Sequence, residues 1–363
     1  MVTAIVAILI FALLVIVHEF GHFIVAKWSG MYVDEFSVGF GPKVVGKKWG
    51  ETNYNLRAIP LGGYVRIIGD DVAEEERAGI EVPELPEERK YHNIPIWKRF
   101  IFIAAGSFMN FVTAIVIFAG MFMVLGLAVP VENPDTTISA VVEGGPAEQA
   151  GVAPGDKIIE VNGVQVVTWN DLTEQITAVK QGEKVNLVIL TPEGEEKALP
   201  EITPDYDEEA GRMLLGIYSS GVERQEVGIL QSIQLGAMNT WDMTVAMGDV
   251  LKQLFTGKID ISDEEEGLTG PIGIVKIIDE STKAGWVYVC NLTALLSINL
   301  AIMNILPIPS LDGSKLLFLL IEAVRGGKRV DPAKENMVHF IGYMLLMLLV
   351  IYITYQDILR FFV

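Results

Sequence analysis

The chain of 363 residues is 51% hydrophobic, with a mean hydropathy of +0.40, which is too apolar for an ordinary soluble enzyme and points to the membrane class. A formal net charge of −19, with no basic patch carrying interleaved aromatics, excludes nucleic acid as a partner. The single cysteine, Cys290, excludes an intrachain disulfide and a thiolate cluster, so a metal site would have to use His, Asp or Glu.

The first apolar segment runs from about Val2 to Ala26, and about 20 apolar residues suffice to cross a bilayer. Its first basic residue is Lys27 and no small-residue cleavage site follows, so it reads as an anchor and not as a secretory leader. Inside it lies "VIVHEFGHFIVAK". An ionisable residue at bilayer centre costs from about 2.5 to above 10 kcal/mol, so two histidines and a glutamate in one segment need compensation. His18 and His22 are four residues apart, which on a helix puts both imidazoles on one face within reach of one ion. Glu19 stands beside them as a base for water activation without being a ligand, the logic of the zincins.

Next, "YNLRAIPLGGYVRIIGD" mixes β-branched and aromatic residues with Gly turns and predicts short strands. The Gly62-Gly63 pair beside Tyr64 and Val65 predicts a hairpin edge or a close backbone approach. The acidic run "DDVAEEERAG" reads as a solvated loop, and His92 as exposed. A second apolar segment covers Ile96 to Val129.

A compact β-rich domain follows. "TTISAVVEGGPAEQAGVAPGDKIIEVNGVQV" alternates as strands do, with turns at Gly144-Gly145, Pro154-Gly155-Asp156 and Asn162-Gly163. "TWNDLTEQITAVK" reads as a helix, and "KVNLVIL" and "RMLLGIYS" as two closing strands. Val227 to Leu254 reads as amphipathic helix, and "KQLFTGKIDISDEEEG" as an amphipathic surface element or a solvated loop.

The third apolar segment starts at Trp286 and leads into "MNILPIPSLDGSKLLFLL". Pro307 and Pro309 forbid regular helix before Asp312, the only acidic residue between Glu280 and Glu322. A catalytic zinc takes three protein ligands and keeps one open position, which makes Asp312 the candidate third ligand. Irregular backbone at this depth is tolerated where it lines a wet cavity. The competing role for Asp312 is to cap a short helix starting near Leu316. Asn304 could hydrogen-bond substrate backbone or join two helices. The fourth segment, Val338 to Ile353, crosses comfortably only if the helix continues beyond it; His339 reads as interfacial and Cys290 as a helix-packing residue.

HExxH in a first membrane segment together with "NILPIPSLDG" in a later one resembles the site-2 protease family of intramembrane zinc metalloproteases, in its bacterial regulator of sigma-E protease branch. "GFGPKVV" and "IPLGGYVRI" resemble the family's membrane-associated β region, and "AGSFMNF" its second-helix motif. "PAEQAGVAPGDKIIEVNG" looks like a PDZ domain, and "LTGPIGIVKI" resembles the element before the third membrane helix. The resemblance implies Zn2+ held by His18, His22 and Asp312, Glu19 as base, and Asn304 in substrate handling. It implies single-pass membrane substrates, such as anti-sigma factors or remnant signal peptides, already clipped by another protease. Ser107 and Ser314 depart from the Pro and Gly of many members, and only one PDZ-like domain is visible.

The expected architecture is a polytopic α-helical membrane protein of about four transmembrane helices, with a membrane-associated β-hairpin region and an extracytoplasmic PDZ-like β-rich domain. Its order is helix 1 over 1–27, a cytoplasmic-side β region and acidic loop over 28–95, helix 2 over 96–129 and the PDZ-like domain over 135–222. An amphipathic linker over 223–284, helix 3 over 285–325 and helix 4 over 336–360 follow. Lys and Arg cluster after the first segment and between the third and fourth, which places those connections in the cytoplasm of an inner or plasma membrane. Both termini and the PDZ-like domain then lie outside, with the active site toward the cytoplasmic side. A metal transporter and a PDZ-bearing scaffold are the competing readings. Glu19 beside a His and the Pro-broken segment argue against the first, and three buried ionisable groups against the second.

Overall fold

The computed structural model describes residues 2–70, 85–131, 133–142, 144–207, 212–219, 221–258 and 269–362. Most of the acidic run after Asp70 and the later part of "KQLFTGKIDISDEEEG" lie outside these residues. In chain order, helix α1 (Val2–Ser29) is followed by strands β1 (Val33–Trp49) and β2 (Thr52–Ile67), then α2 (Ile96–Leu125) and β3 (Leu127–Pro130). Next come β4 (Ile138–Val141), α3 (Pro146–Gln149), β5 (Lys157–Val161), β6 (Val164–Gln165), α4 (Trp169–Thr177), β7 (Leu187–Leu190), β8 (Glu196–Ala198), β9 (Asp205–Asp207), β10 (Arg212–Leu214), β11 (Ile217–Ser219) and β12 (Val222–Gln225). The chain ends in α5 (Ile229–Phe255), α6 (Pro271–Ala284), α7 (Trp286–Ile305), α8 (Asp312–Val324) and α9 (Pro332–Phe362). These elements form two compact units, 1–124 with 228–363, and 125–227.

In the first unit, α1, α2, α7 and α9 are long and apolar enough to cross a membrane. The buried positions of α1 are Ala7, Ile10, Leu14, His18, Gly21, His22 and Ala26, a stripe at three- and four-residue spacing. The two histidines belong to this inward stripe, and leucines and isoleucines cover the outer face. The helix runs past the expected 27 to Ser29, where Gly30 (φ +85°) ends it. Helix α2 turns small residues inward: Ala105, Gly106, Ser107, Asn110 and Ala114 are all buried. A Cβ on Gly21 would stand 2.4 Å from the Ala105 carbonyl, so α1 and α2 approach backbone to backbone, as small residues permit in membrane helices. The helix stops at Leu125, short of the expected 129, because Gly126 (φ +73°) turns the chain into β3.

One buried ion pair ties α2 to α8. Arg99 donates to both Glu322 oxygens, at 3.1 and 2.6 Å, and its Nε–H donates to the Ile94 carbonyl. Near the other end of α9, the Asp357 carboxylate accepts from the N–H groups of Gly270 and Gly273 at the start of α6. That carboxylate satisfies two buried donors of the helix terminus, and it gives the "TGPIG" stretch its place. The expected linker region thus carries two helices, α5 and α6. Contrary to expectation, His92 is half-buried, because its ring packs beside Gly69. Cys290 is half-buried on α7.

Strands β1 and β2 form an irregular sheet. Residues 63–67 pair antiparallel with the first part of β1, from Val33 opposite Ile67 to Val38 opposite Gly63. The other flank of that part of β1 lies beside 53–56, and Lys43 to Trp49 folds back on Thr52 to Arg57. Among the described residues, the stretch 63–67 is therefore an outer edge.

The second unit is built on a four-stranded sheet in the order β6-β5-β7-β8, with short pairs β4–β11, β3–β12 and β9–β10. Its core gathers Ile138, Ile158, Val161, Leu172, Leu187 and Ile189. Helix α4 starts with a capping box, in which the Thr168 hydroxyl accepts from the Asp171 N–H and the Asp171 carboxylate accepts from the Thr168 N–H. The stretch "RMLLGIYS" is two strands, not one, because Gly216 (φ +73°) breaks it between β10 and β11.

Candidate metal centre

His18 and His22 leave the inward face of α1 one turn apart, and both are 7% exposed. The third group comes from the other end of the chain. Helix α7 ends at Ile305, and Pro307 and Pro309 keep 306–311 out of helix. Ser310 takes a positive φ of 79°, and α8 restarts at Asp312 itself, not near Leu316. A Cβ on Gly313 would stand 2.1 Å from the Leu306 carbonyl, so only glycine lets α8 begin folded against the end of α7. The result brings Asp312 Oδ2 to 3.0 Å from His18 Nε2 and 3.3 Å from His22 Nε2, with the two ring nitrogens 3.2 Å apart.

Three donors in a triangle of this size fit a tetrahedral zinc. Bonds of about 2.0–2.1 Å place neighbouring ligand atoms about 3.3 Å apart. His22 Nδ1–H donates to the Phe102 carbonyl at 2.8 Å, which leaves Nε2 with its lone pair toward the triangle. Gly106 makes the room: a Cβ there would meet His22 Nε2 at 2.4 Å and His18 Nε2 at 2.7 Å. Among the described residues, His18, His22 and Asp312 are the one group of three such donors close enough to share an ion.

A cavity of about 260 Å³ opens on this triangle, lined by His18, Glu19, Asp312, Gly62, Gly63 and Asn304 among others. Glu19 is half-buried on its wall. A Cβ on Gly63 would lie 2.8 Å from the Ser37 carbonyl and 3.2 Å from Glu19 Cγ, so the outer strand edge runs directly past the carboxylate side chain. Gly62 (φ +111°) packs under the Phe40 ring, where a Cβ would be 2.1 Å from a ring carbon. Tyr64 and Val65 do not line the cavity. Tyr64 accepts a hydrogen bond from Arg57 at 2.6 Å, and burial, then its neighbour Glu35, raises its phenol above the ordinary range. Val65 packs against the core that contains Val33 and Ile67.

Glu35 holds the sheet beneath this edge. Burial pushes its carboxyl up, but hydrogen bonds from Asn55, Arg57 and Tyr64, with the Arg66 charge, bring it below its ordinary value. Sequence reasoning passed over Phe102, Gly106 and Asn110, and read His339 only as interfacial. The spacing of Gly106 and Asn110, one helical turn apart in "AGSFMNF", was the available signal for one face of α2 turned to the histidines.

A family model described as peptidase family M50 matches residues 6–349. The regulator of sigma-W protease RasP of Bacillus subtilis is 32% identical, over 99% of each chain. A putative zinc metalloprotease of Clostridium acetobutylicum is 33% identical over 98% of this chain and 96% of its own, and one of Clostridium perfringens 34% over 97% of each. Among solved structures, the PDZ domain of an SdrC-like protein from Listeria innocua matches 26% of this chain and 99% of its own, at 20% identity and a TM-score of 0.22.

Proposed function

The chain belongs to peptidase family M50, and from that premise we propose that this multi-pass zinc metalloprotease cuts the membrane-spanning segments of single-pass proteins within the bilayer. One observation carries the proposal: the cavity on the His18, His22, Asp312 triangle is walled by both a carboxylate and a free strand edge. Zinc, when bound, supplies a Lewis acid that polarises the scissile carbonyl and acidifies water. Glu19 takes the proton from water and delivers it to the leaving amine. A helical substrate hides its backbone in internal hydrogen bonds, so it must unwind first. The edge at Gly62, Gly63, Tyr64 and Val65 captures it in extended form by β-addition, and Asn304 holds a further backbone group.

The name of one relative, regulator of sigma-W protease, fits regulators of sigma factors as the substrate class; such substrates would arrive already clipped by another protease. The β-rich domain lies outside an inner or plasma membrane, with both termini, and the zinc centre faces the cytoplasmic side. A groove of that domain, lined by Trp169, Leu172, Ile176 and the stretch from Met213 to Ser219, takes the new C-terminus of a clipped substrate or screens out large ectodomains.

The test is cleavage of a truncated single-pass substrate by purified protein in detergent. Wild type should cleave and Glu19→Gln should not; cleavage by both would remove Glu19 as the base. Wild-type failure on substrates that a Bacillus subtilis relative cuts would remove the proposed substrate class.

A further inference from the structure

Asn110 is wholly buried on α2, four residues from Gly106, and its side-chain nitrogen stands 3.1 Å from His18 Nδ1. Its side-chain oxygen is buried without a hydrogen-bond partner. The two ends of a carboxamide have the same shape, so the chemistry of the neighbouring group decides between them. His18 Nε2 lies in the ligand triangle and must carry a lone pair to bind a metal. A neutral imidazole with a bare Nε2 carries its proton on Nδ1, and an N–H facing an NH2 has no acceptor. Turning the amide over gives that N–H the buried oxygen.

We propose that Asn110 is the positioning residue of His18: its side-chain oxygen accepts the Nδ1–H and holds the ring in the tautomer that presents Nε2 to the metal. Phe102 does the same for His22 through its carbonyl at 2.8 Å, so α2 fixes both histidines of α1. The Ser297 hydroxyl of α7 donates to the Asn110 carbonyl at 2.8 Å and holds the backbone at this point. Groups that hold a ligating histidine in this way change metal affinity by about 10- to 100-fold.

The inference rests on the zinc centre, and its test separates the two. Zinc affinity is measured on the purified full chain by competition with a chromophoric chelator, and Co2+ absorption is recorded in parallel. Binding by wild type that is lost in His18→Ala establishes the centre by itself. Asn110→Leu, which fills the space and accepts nothing, should then weaken zinc by about 10- to 100-fold and shift the Co2+ bands, at the helical content of wild type. Asn110→Asp, which keeps the acceptor, should return affinity to within a few-fold of wild type. Should Asn110→Leu not fold, Asn110→Ala reads the same quantity. Wild-type affinity in the variant without an acceptor, or equal losses in that variant and Asn110→Asp, would overturn the inference.

Discussion

Ser310 donates its backbone N–H to His339 Nδ1 at 3.2 Å and its hydroxyl to the His339 carbonyl at 2.7 Å. The loop that delivers Asp312 is thereby bolted to α9 two residues before the ligand. The contact is reinforced where Gly342 meets Pro309, since a Cβ on Gly342 would stand 2.1 Å from the proline ring. His339, expected to be interfacial, anchors the loop that carries Asp312.

His339→Leu should leave the Ser310 N–H without its acceptor, while the Ser310 hydroxyl keeps the main-chain carbonyl, and loosen Asp312. We expect zinc affinity to fall about 10-fold, the lower end for groups that support a ligand. Melting should lose about 1–3 kcal/mol, as for a buried donor left unmade. Chelator competition and thermal unfolding check both. Unaltered zinc affinity would show that Pro307 and Pro309 shape the loop alone.

Gly106→Ala should abolish the metal site while sparing the fold. Its methyl carbon would enter the space of both Nε2 atoms, and those rings have no free direction because Phe102 and Asn110 hold their far sides. A zinc content below one tenth of wild type is expected, with helical content unchanged by circular dichroism. Full zinc occupancy would mean that α1 and α2 can separate by about an ångström, against their contact at Gly21 and Ala105.

Glu322→Leu should be the most destabilising of these changes. It leaves the Arg99 guanidinium, 2% exposed, without its carboxylate partner. Removing one member of a buried pair costs about 3–5 kcal/mol. Replacing both, Arg99→Met with Glu322→Leu, should recover most of that loss, because no charge is then stranded. A double-mutant cycle on denaturant midpoints measures the coupling, and a double variant as weak as the single would contradict it.

Glu35 sets an acid limit for the β region. Its folded carboxyl titrates below its ordinary value of 4.5, since Asn55, Arg57, Tyr64 and Arg66 favour the charged form. The folded state therefore binds the proton less well than the unfolded one, and Glu35 contributes fully above about pH 4.5. That contribution is lost as pH falls through the depressed folded value. Glu35→Gln should lower the melting temperature at pH 7, and the gap to wild type should close as pH falls below 4. A gap that is constant from pH 7 to 3 would mean the charge is not what matters.

Much of the centre was legible in the chain. The spacing of His18 and His22, the cost of Glu19 in an apolar run and the prolines ahead of Asp312 are local facts, and the backbone obeys local rules. Element bounds were less legible, because Gly30, Gly126 and Gly216 end helices or strands by a dihedral that hydrophobic pattern does not record. The spacing of Gly106 and Asn110 marked one helical face, but what those two residues and His339 touch could not be read from pattern. Each depends on a partner far along the chain: two imidazoles about 80–90 residues away for the first pair, and Ser310 for His339.

By itself, then, the sequence determined the membrane class, the two histidines on one helical face, the neighbouring carboxylate and the broken segment that holds Asp312. These follow from residue type and helical period, which act over a few residues. Only the tertiary structure decided that Asp312 closes the triangle, that the strand edge at Gly63 runs past Glu19, and that α2 packs against both histidines and α9 against the loop before Asp312. Those relations are distances between segments up to 294 residues apart, and only the packing of helix against helix sets them.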